Sequence, residues 1–150
     1  MNKTKDDLYE YCVEYATSRI TRLKAEIKKT QSSANEETKS SAGDKYETGR
    51  AMAQLEIEKN TKQLAEVERM QSMMNLILPD RVSDVIIPGS LITTNKGIFY
   101  IAISIGLAEL HGKSYFIITP DSPIGKVFMG KKAGEVVVWN NNSYTIQSIE

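Results

Sequence analysis

The sequence contains one cysteine, one histidine and four prolines among its 150 residues. A single cysteine, Cys12, excludes an internal disulfide, and a single histidine, His111, without a neighbouring cysteine, argues against a zinc centre or a catalytic dyad. No run of about 18 apolar residues occurs and the charged N-terminus has no apolar core, so neither a membrane span nor a signal peptide is predicted. These absences predict a cytoplasmic protein in which Cys12 packs in a core and His111 lies in a loop.

An excess of charge of one sign is also missing. The 19 basic residues balance the 19 acidic ones, with 13 of each in residues 1–79 and 6 of each in the remainder. A broad nucleic-acid surface normally needs a clearly basic face, so this balance argues against one. A narrower set of basic residues either touches RNA phosphates or forms a solvated coiled-coil flank, and the interleaved acids favour the flank. This set comprises Arg19, Arg22, Lys24, Lys28 and Lys29.

Proline is absent from residues 5–78, where apolar residues recur at helical spacing in two stripes. The first stripe is Leu8, Cys12, Ala16, Ile20, Leu23 and Ile27, and the second is Tyr46, Ala53, Ile57, Leu64, Val67, Met74 and Leu78. Two such stripes predict two long helices that pack as an antiparallel coiled-coil hairpin, with Asn60 and Gln71 as polar positions in its seam. Arms of equal length place a polar tip near residues 36–47.

After Pro79 the pattern becomes strand-like, with turn signals between short apolar runs. Strands are predicted at 85–87, 90–94, 98–104, 115–118, 135–139 and 143–149. A short helix at 123–129 should begin after the Ser122-Pro123 pair and end at Gly130. The sequence therefore predicts an α+β protein, with the hairpin in residues 1–79 and, in residues 80–150, a small, mainly antiparallel sheet with one short helix.

The C-terminal region carries an unusual order of motifs. Ser-Pro-Ile-Gly at 122–125 precedes a short apolar helix, Gly-Lys-Lys-Ala-Gly at 130–134, a run of valines, and Tyr-Thr-Ile-Gln-Ser-Ile at 144–149. This order resembles the C-terminal domain of the Gre transcript-cleavage factors, and Ile-Pro-Gly-Ser-Leu-Ile-Thr at 87–93 is similar to the strand that opens that domain. The resemblance covers residues 82–150 well, and the N-terminal half through its architecture.

The resemblance implies an FKBP-like C-terminal domain that binds the rim of the RNA polymerase secondary channel through Asp121, Ser122, Pro123 and Ile124. At the tip, Gly-Asp-Lys-Tyr-Glu at 43–47 matches the Gly-Asp-x-x-Glu of the family. This match implies that Asp44 and Glu47 help to hold Mg²⁺ in the polymerase active site, and that the polymerase then cleaves backtracked RNA. Carboxylate oxygens are suitable ligands for Mg²⁺.

On this interpretation the chain is not itself an enzyme and binds no cofactor alone. It is expected to be a monomer that meets nascent RNA and DNA only within the elongation complex.

Several alternatives remain open from the residues alone. Asp44 with Glu47 also makes a capping box, and residues 48–52 depart from the family pattern. Glu36 and Glu37 either add charge at the tip or form a solvated helix end. The segment at 121–124 also suits a helix that simply starts on the core. The rival functions are a regulator that occupies the same channel without cleavage, an FKBP-like peptide-binding domain and a plain coiled-coil dimeriser.

Overall fold

The computed structural model describes residues 2–37 and 43–150, and the side chains of residues 2–35 and 47–150. Two long helices come first, α1 (Lys3–Glu37) and α2 (Gly43–Leu76). They form the predicted helical hairpin, and a mostly antiparallel sheet with one short helix follows, so the predicted α+β fold is confirmed. Residues 38–42, at the predicted tip, lie outside the described residues.

The chain folds as two compact units. One unit comprises Met1–Glu14 together with Ser72–Glu150, and the other comprises Tyr15–Gln71. The start of α1 and the end of α2 therefore belong to the unit that contains the sheet. The second unit contains only the remaining lengths of the two helices.

The helical unit is held by a small apolar cluster. Ala16, Ile20, Leu23 and Val67 are all at most 9% exposed, and Leu64 and Met70 pack against them. The first predicted stripe is buried from Leu8 to Leu23, and Asn60 is buried as predicted for a polar position in the hairpin. Helical spacing predicts this burial because residues three and four apart share one face of a helix.

The predicted burial of the second stripe is wrong at its last residue, Leu78. Leu78 is 63% exposed, whereas Ile77 is 3% exposed. The reason is that α2 ends at Leu76 and the amide of Ile77 donates to the carbonyl of Met74 at 3.2 Å, so the heptad spacing no longer applies. The side chain of Ile77 instead packs close to Gly89.

The sheet has six strands, in the spatial order β3-β4-β2-β1-β6-β5. In chain order they are β1 (Leu91–Thr94), β2 (Gly97–Ile101), β3 (Gly106–Leu110), β4 (Lys113–Ile118), β5 (Val136–Trp139) and β6 (Asn142–Ile149). Neighbouring strands are antiparallel except β2 and β4, which are parallel. The short helix α3 (Pro123–Phe128) lies between β4 and β5 in the chain.

Three strand predictions need correction. Strand β3 was not predicted, because Gly-Leu-Ala-Glu-Leu lacks β-branched and aromatic residues. The segment 85–87 forms only a single bridge, between Val85 and Lys132. The strand expected at 98–104 ends at Ile101: Ala102 and Ile103 are buried, but residues 102–104 bend away from the ladder.

The core of the sheet unit lies on the face that α3 covers. Phe99 is its aromatic centre, with ring centroids 5.0 Å from Phe128, 5.8 Å from Tyr144 and 5.3 Å from Phe116. The buried members of this cluster are Ile86, Ile92, Phe99, Ile101, Phe128, Val137, Tyr144 and Ile146. Side chains alternate along a strand, so Leu91 and Tyr100 are buried on the opposite face.

His111 lies in the two-residue turn between β3 and β4, which confirms the loop prediction. Its φ of 52° and that of Gly112 at 78° are left-handed, as a tight hairpin turn requires. The imidazole Nε2 lies 3.0 Å from Oδ2 of Asp7 near the start of α1.

Candidate docking surface

The candidate docking surface is the segment 121–124 at the start of α3. Ser122 is the N-cap of the helix, with φ −65° and ψ 156°, and its hydroxyl accepts a hydrogen bond of 3.0 Å from the amide of Gly125. Pro123 occupies the first helical position, where the missing amide hydrogen costs nothing. The helix ends at Phe128 with Met129 as its C-cap, and Gly130 follows with φ 78° and donates its amide to the carbonyl of Ile86, so the predicted start is confirmed and the C-cap is Met129 instead of Gly130.

A second set of hydrogen bonds ties this cap to the end of β4. The hydroxyl of Ser122 donates to the carbonyl of Thr119 at 2.7 Å, and the Ser122 amide donates to Oγ1 of Thr119 at 3.0 Å. The Ser122 hydroxyl is therefore used both as donor and as acceptor. The segment leaves the sheet as a hydrogen-bonded turn.

The four predicted docking residues are brought together but differ in exposure. Asp121 and Pro123 are exposed, whereas Ser122 and Ile124 are half-buried. Ile124 packs against the core cluster around Phe99. The segment thus starts a core-packed helix and also presents a carboxylate and a rigid apolar ring to solvent, so the two interpretations left open by the sequence are compatible.

The predicted tip site is described only in part. Helix α2 begins at Gly43, so residues 44 and 47 both lie in its first turns, and Glu47 is exposed. The side chains of Asp44, Glu36 and Glu37 lie outside the described residues. The pairing of Asp44 with Glu47 as ligands of Mg²⁺ stays a prediction, as does the capping-box alternative.

The basic residues at 19–29 of α1 are exposed except for Arg19. Arg19 is half-buried, with its guanidinium 4.3 Å from the ring centroid of Tyr15. The other four, Arg22, Lys24, Lys28 and Lys29, are exposed and form no ion pair within the described residues. Between residues 15 and 35 they are opposed by one acidic residue, Glu26.

Cys12, the single cysteine, is fully buried and belongs to the sheet unit. Burial raises the pKa of its thiol from 9.0 to about 12, which suppresses the nucleophilic thiolate. This agrees with the predicted packing role.

Within the described parts of the chain, no three His, Cys, Asp or Glu residues are grouped so that they could hold a metal ion. None of the described helices is long and apolar enough to span a bilayer.

No protein-family model matches the sequence. No curated protein matches it significantly.

Among solved structures, the chain is similar to the crystal structure of GreA factor homolog 1 (Gfh1) of Thermus thermophilus. The two are 17% identical over 92% of this chain and 94% of that one, with a TM-score of 0.39. It is also similar to a structure of the transcription factor Gfh1, 18% identical over 91% of this chain and 92% of that one, with a TM-score of 0.38.

Proposed function

We propose that this chain is a Gre-like factor that binds RNA polymerase at the rim of its secondary channel and stimulates cleavage of backtracked RNA by the polymerase active site. The observation that carries the proposal is the Asp121-Ser122-Pro123-Ile124 segment, which exposes Asp121 and Pro123 on a capped helix start, in a chain that also has a long helical hairpin. The factor supplies binding and two carboxylates, and the hydrolysis itself belongs to the polymerase.

The docking chemistry follows from the cap. Pro123 has a fixed φ and its ring is exposed, so it loses little conformational freedom when a partner covers it. Asp121 beside it adds a charge that can select a basic partner surface. Together, Pro123 would supply a rigid apolar anchor and Asp121 a charge beside it.

The helical hairpin provides reach. Within the second unit the α1 arm covers residues 15–37, and 23 helical residues span about 35 Å at roughly 1.5 Å each. Its buried cluster is small and its outer surface is largely exposed. An arm of this length is long enough to enter a channel of a partner, which is the role we propose for it.

The tip residues suit the proposed chemistry. Carboxylate oxygens are the ligands that Mg²⁺ prefers, and it typically takes one or two of them while keeping several waters. Asp44 and Glu47 would be those two ligands, shared with the polymerase active site. Bound Mg²⁺ would supply activation of the attacking water.

A second candidate is a non-cleaving regulator that docks in the same way. It is favoured by one feature: Thr48 and Gly49 follow the acidic pair inside α2 where the family pattern continues differently, and a glycine weakens a helix by about 1 kcal/mol relative to alanine. The two candidates share the docking segment and differ only in whether RNA is shortened.

The test is transcript cleavage in a backtracked elongation complex assembled with the cognate polymerase. Four reactions are compared: no factor, wild type, Asp44→Ala/Glu47→Ala, and Glu56→Ala/Glu58→Ala. Glu56 and Glu58 are exposed carboxylates on the same helix away from the tip, so they control for lost negative charge.

If the chain is a cleavage factor, the RNA should be shortened by the wild type and by Glu56→Ala/Glu58→Ala, but not by Asp44→Ala/Glu47→Ala. Polymerase binding without shortening would identify the regulator. Absence of any binding to the polymerase would reject both.

A further inference from the structure

We infer that Thr119 is a positioning residue for the docking segment: its side chain holds the 121–124 turn in the geometry that the polymerase recognises. The inference rests on the proposed function for its binding consequence. It rests on the hydrogen bonds of the turn for its structural consequence. Thr119 is the residue that directly follows β4, and no feature of the sequence alone singles it out.

The turn has few backbone hydrogen-bond donors. Pro120 and Pro123 have no amide hydrogen, so Asp121 and Ser122 carry the only backbone donors from residue 120 to residue 123. The Ser122 amide donates to Oγ1 of Thr119 at 3.0 Å and makes a longer contact of 3.3 Å with the Thr119 carbonyl. The threonine side chain therefore provides the shorter of the two acceptors for this amide.

Thr119 also fixes the side chain of Ser122. The Thr119 carbonyl accepts the Ser122 hydroxyl at 2.7 Å, and that hydroxyl accepts the Gly125 amide at 3.0 Å. A continuous path of hydrogen bonds thus runs from the end of β4 to the first turn of α3. Asp121 and Pro123, the exposed docking residues, lie inside this path.

Packing also fixes the Thr119 carbonyl next to Gly125. A Cβ placed on Gly125 would overlap the carbonyl oxygen of Thr119, so glycine permits the close approach of the helix to the end of β4. Replacing the Thr119 hydroxyl leaves this carbonyl and Gly125 in place. Thr119→Val should therefore leave the Ser122 amide with only its longer contact to the Thr119 carbonyl, which weakens its hydrogen bonding without removing the turn.

The experiment compares Thr119→Val, which keeps shape and β-branching but lacks the hydroxyl, with Thr119→Ser, which keeps the hydroxyl. Thr94→Val is the control. Thr94 also bonds a tight turn through its side chain, at 2.8 Å to the Gly97 carbonyl and 3.1 Å from the Lys96 amide, in a turn outside the docking segment.

Two readouts are measured on the full chain. Amide hydrogen exchange in the free protein should rise at Ser122 in Thr119→Val and stay at the wild-type rate in Thr119→Ser. Binding to the cognate backtracked polymerase complex should weaken about fivefold in Thr119→Val, the change expected from one ordinary hydrogen bond, with recovery in Thr119→Ser and no change in Thr94→Val.

A double-mutant cycle separates positioning from loss of folding. In an Asp121→Ala/Pro123→Ala background the two exposed docking residues are already missing, so Thr119→Val should weaken binding no further. A purely structural effect would persist in that background and would also appear in Thr94→Val.

The outcomes separate the inference from the proposed function. If wild type does not bind the polymerase, the proposed function fails, and the exchange measurement alone decides whether Thr119 orders the segment. If wild type binds, equal binding of Thr119→Val overturns the inference. Unchanged exchange at Ser122 in Thr119→Val overturns it in either case.

Discussion

The ammonium group of Lys5 donates a hydrogen bond of 3.0 Å to the backbone carbonyl of Arg81. This bond joins the start of α1 to the segment that follows α2. Lys5 is only 3% exposed, and removal from water lowers the pKa of its ammonium group, against the opposing effect of Glu150, Asp6 and Asp80. A charged group in this place makes stability depend on pH.

Lys5→Met should remove that dependence. Between the lowered pKa of Lys5 in the folded state and its ordinary value of 10.5, the unfolded chain binds more protons than the folded one, so stability rises with pH. The free energy of unfolding, measured with urea from about pH 7 to pH 10, should therefore rise in the wild type relative to Lys5→Met.

Lys3→Met is the control, because Lys3 is exposed on the same helix. It should follow the wild type across this range. A constant difference between the wild type and Lys5→Met would show that the buried ammonium group does not titrate in this window.

Cys12 should be unreactive in the native protein. Its pKa of about 12 instead of 9.0 reduces the thiolate fraction near pH 8 about a thousandfold, since each pKa unit is a factor of ten. A thiol-reactive dye should label it rapidly in urea and very slowly without urea.

A variant with the cysteine moved to an exposed site of the same helix, Cys12→Ala/Ser18→Cys, should label rapidly in both conditions. Rapid labelling of the native wild-type protein would contradict the burial of Cys12.

The raised pKa of Cys12 also means that this thiol contributes stability below about pH 9, and that this contribution is lost as the pH rises towards 12.

The stability of the helical unit should depend on Leu23 far more than on Leu55. Leu23 is 4% exposed in the apolar cluster, and its replacement by alanine should cost about 2–5 kcal/mol of unfolding free energy because a cavity remains. Leu55 is 65% exposed, so Leu55→Ala should stay within about 0.5 kcal/mol of the wild type. Far-UV circular dichroism during urea unfolding measures both, and equal costs would count against the described pairing of the arms.

The turn between β5 and β6 should tolerate glycine but not valine. Asn140 and Asn141 have φ of 52° and 63°, the left-handed conformation that a two-residue hairpin needs. Asn141→Val should cost about 1–2 kcal/mol in this conformation, whereas Asn141→Gly should retain the wild-type stability. Asn142→Val, one residue later in an extended strand, is the control for the added bulk. Thermal denaturation would decide, and a harmless Asn141→Val would refute the turn geometry.

The sequence was sufficient to predict those parts of the fold that depend on neighbouring residues and on a repeated spacing of apolar residues. The stripe from Leu8 to Leu23 repeats every three or four residues, and this spacing alone predicts a buried helix face. The Ser122-Pro123 start is likewise local, because it acts within one turn of the helix.

The errors occur where distant residues decide the outcome. Strand β3 is extended because it pairs with β4, and nothing in its own five residues requires a strand. Ile77 is buried and Leu78 exposed because the helix stops before them. In the site, the position of Thr119 against Gly125 depends on how β4 meets α3, which no periodicity encodes. The role of Asp44 with Glu47 stays a prediction.

The strand order decides which strand pairs can form while the chain is being synthesised. Strand β6 is the last of the described strands to leave the ribosome, yet it lies inside the sheet, between β1 and β5. The first four strands can form their pairs as soon as Ile118 has emerged, but β5 has no neighbour until residues 142–149 arrive. Until then the nascent chain carries an open ladder on β1, the kind of edge that recruits other chains. Ribosome stalling between β5 and β6 should therefore leave the edge of β1 open to aggregation.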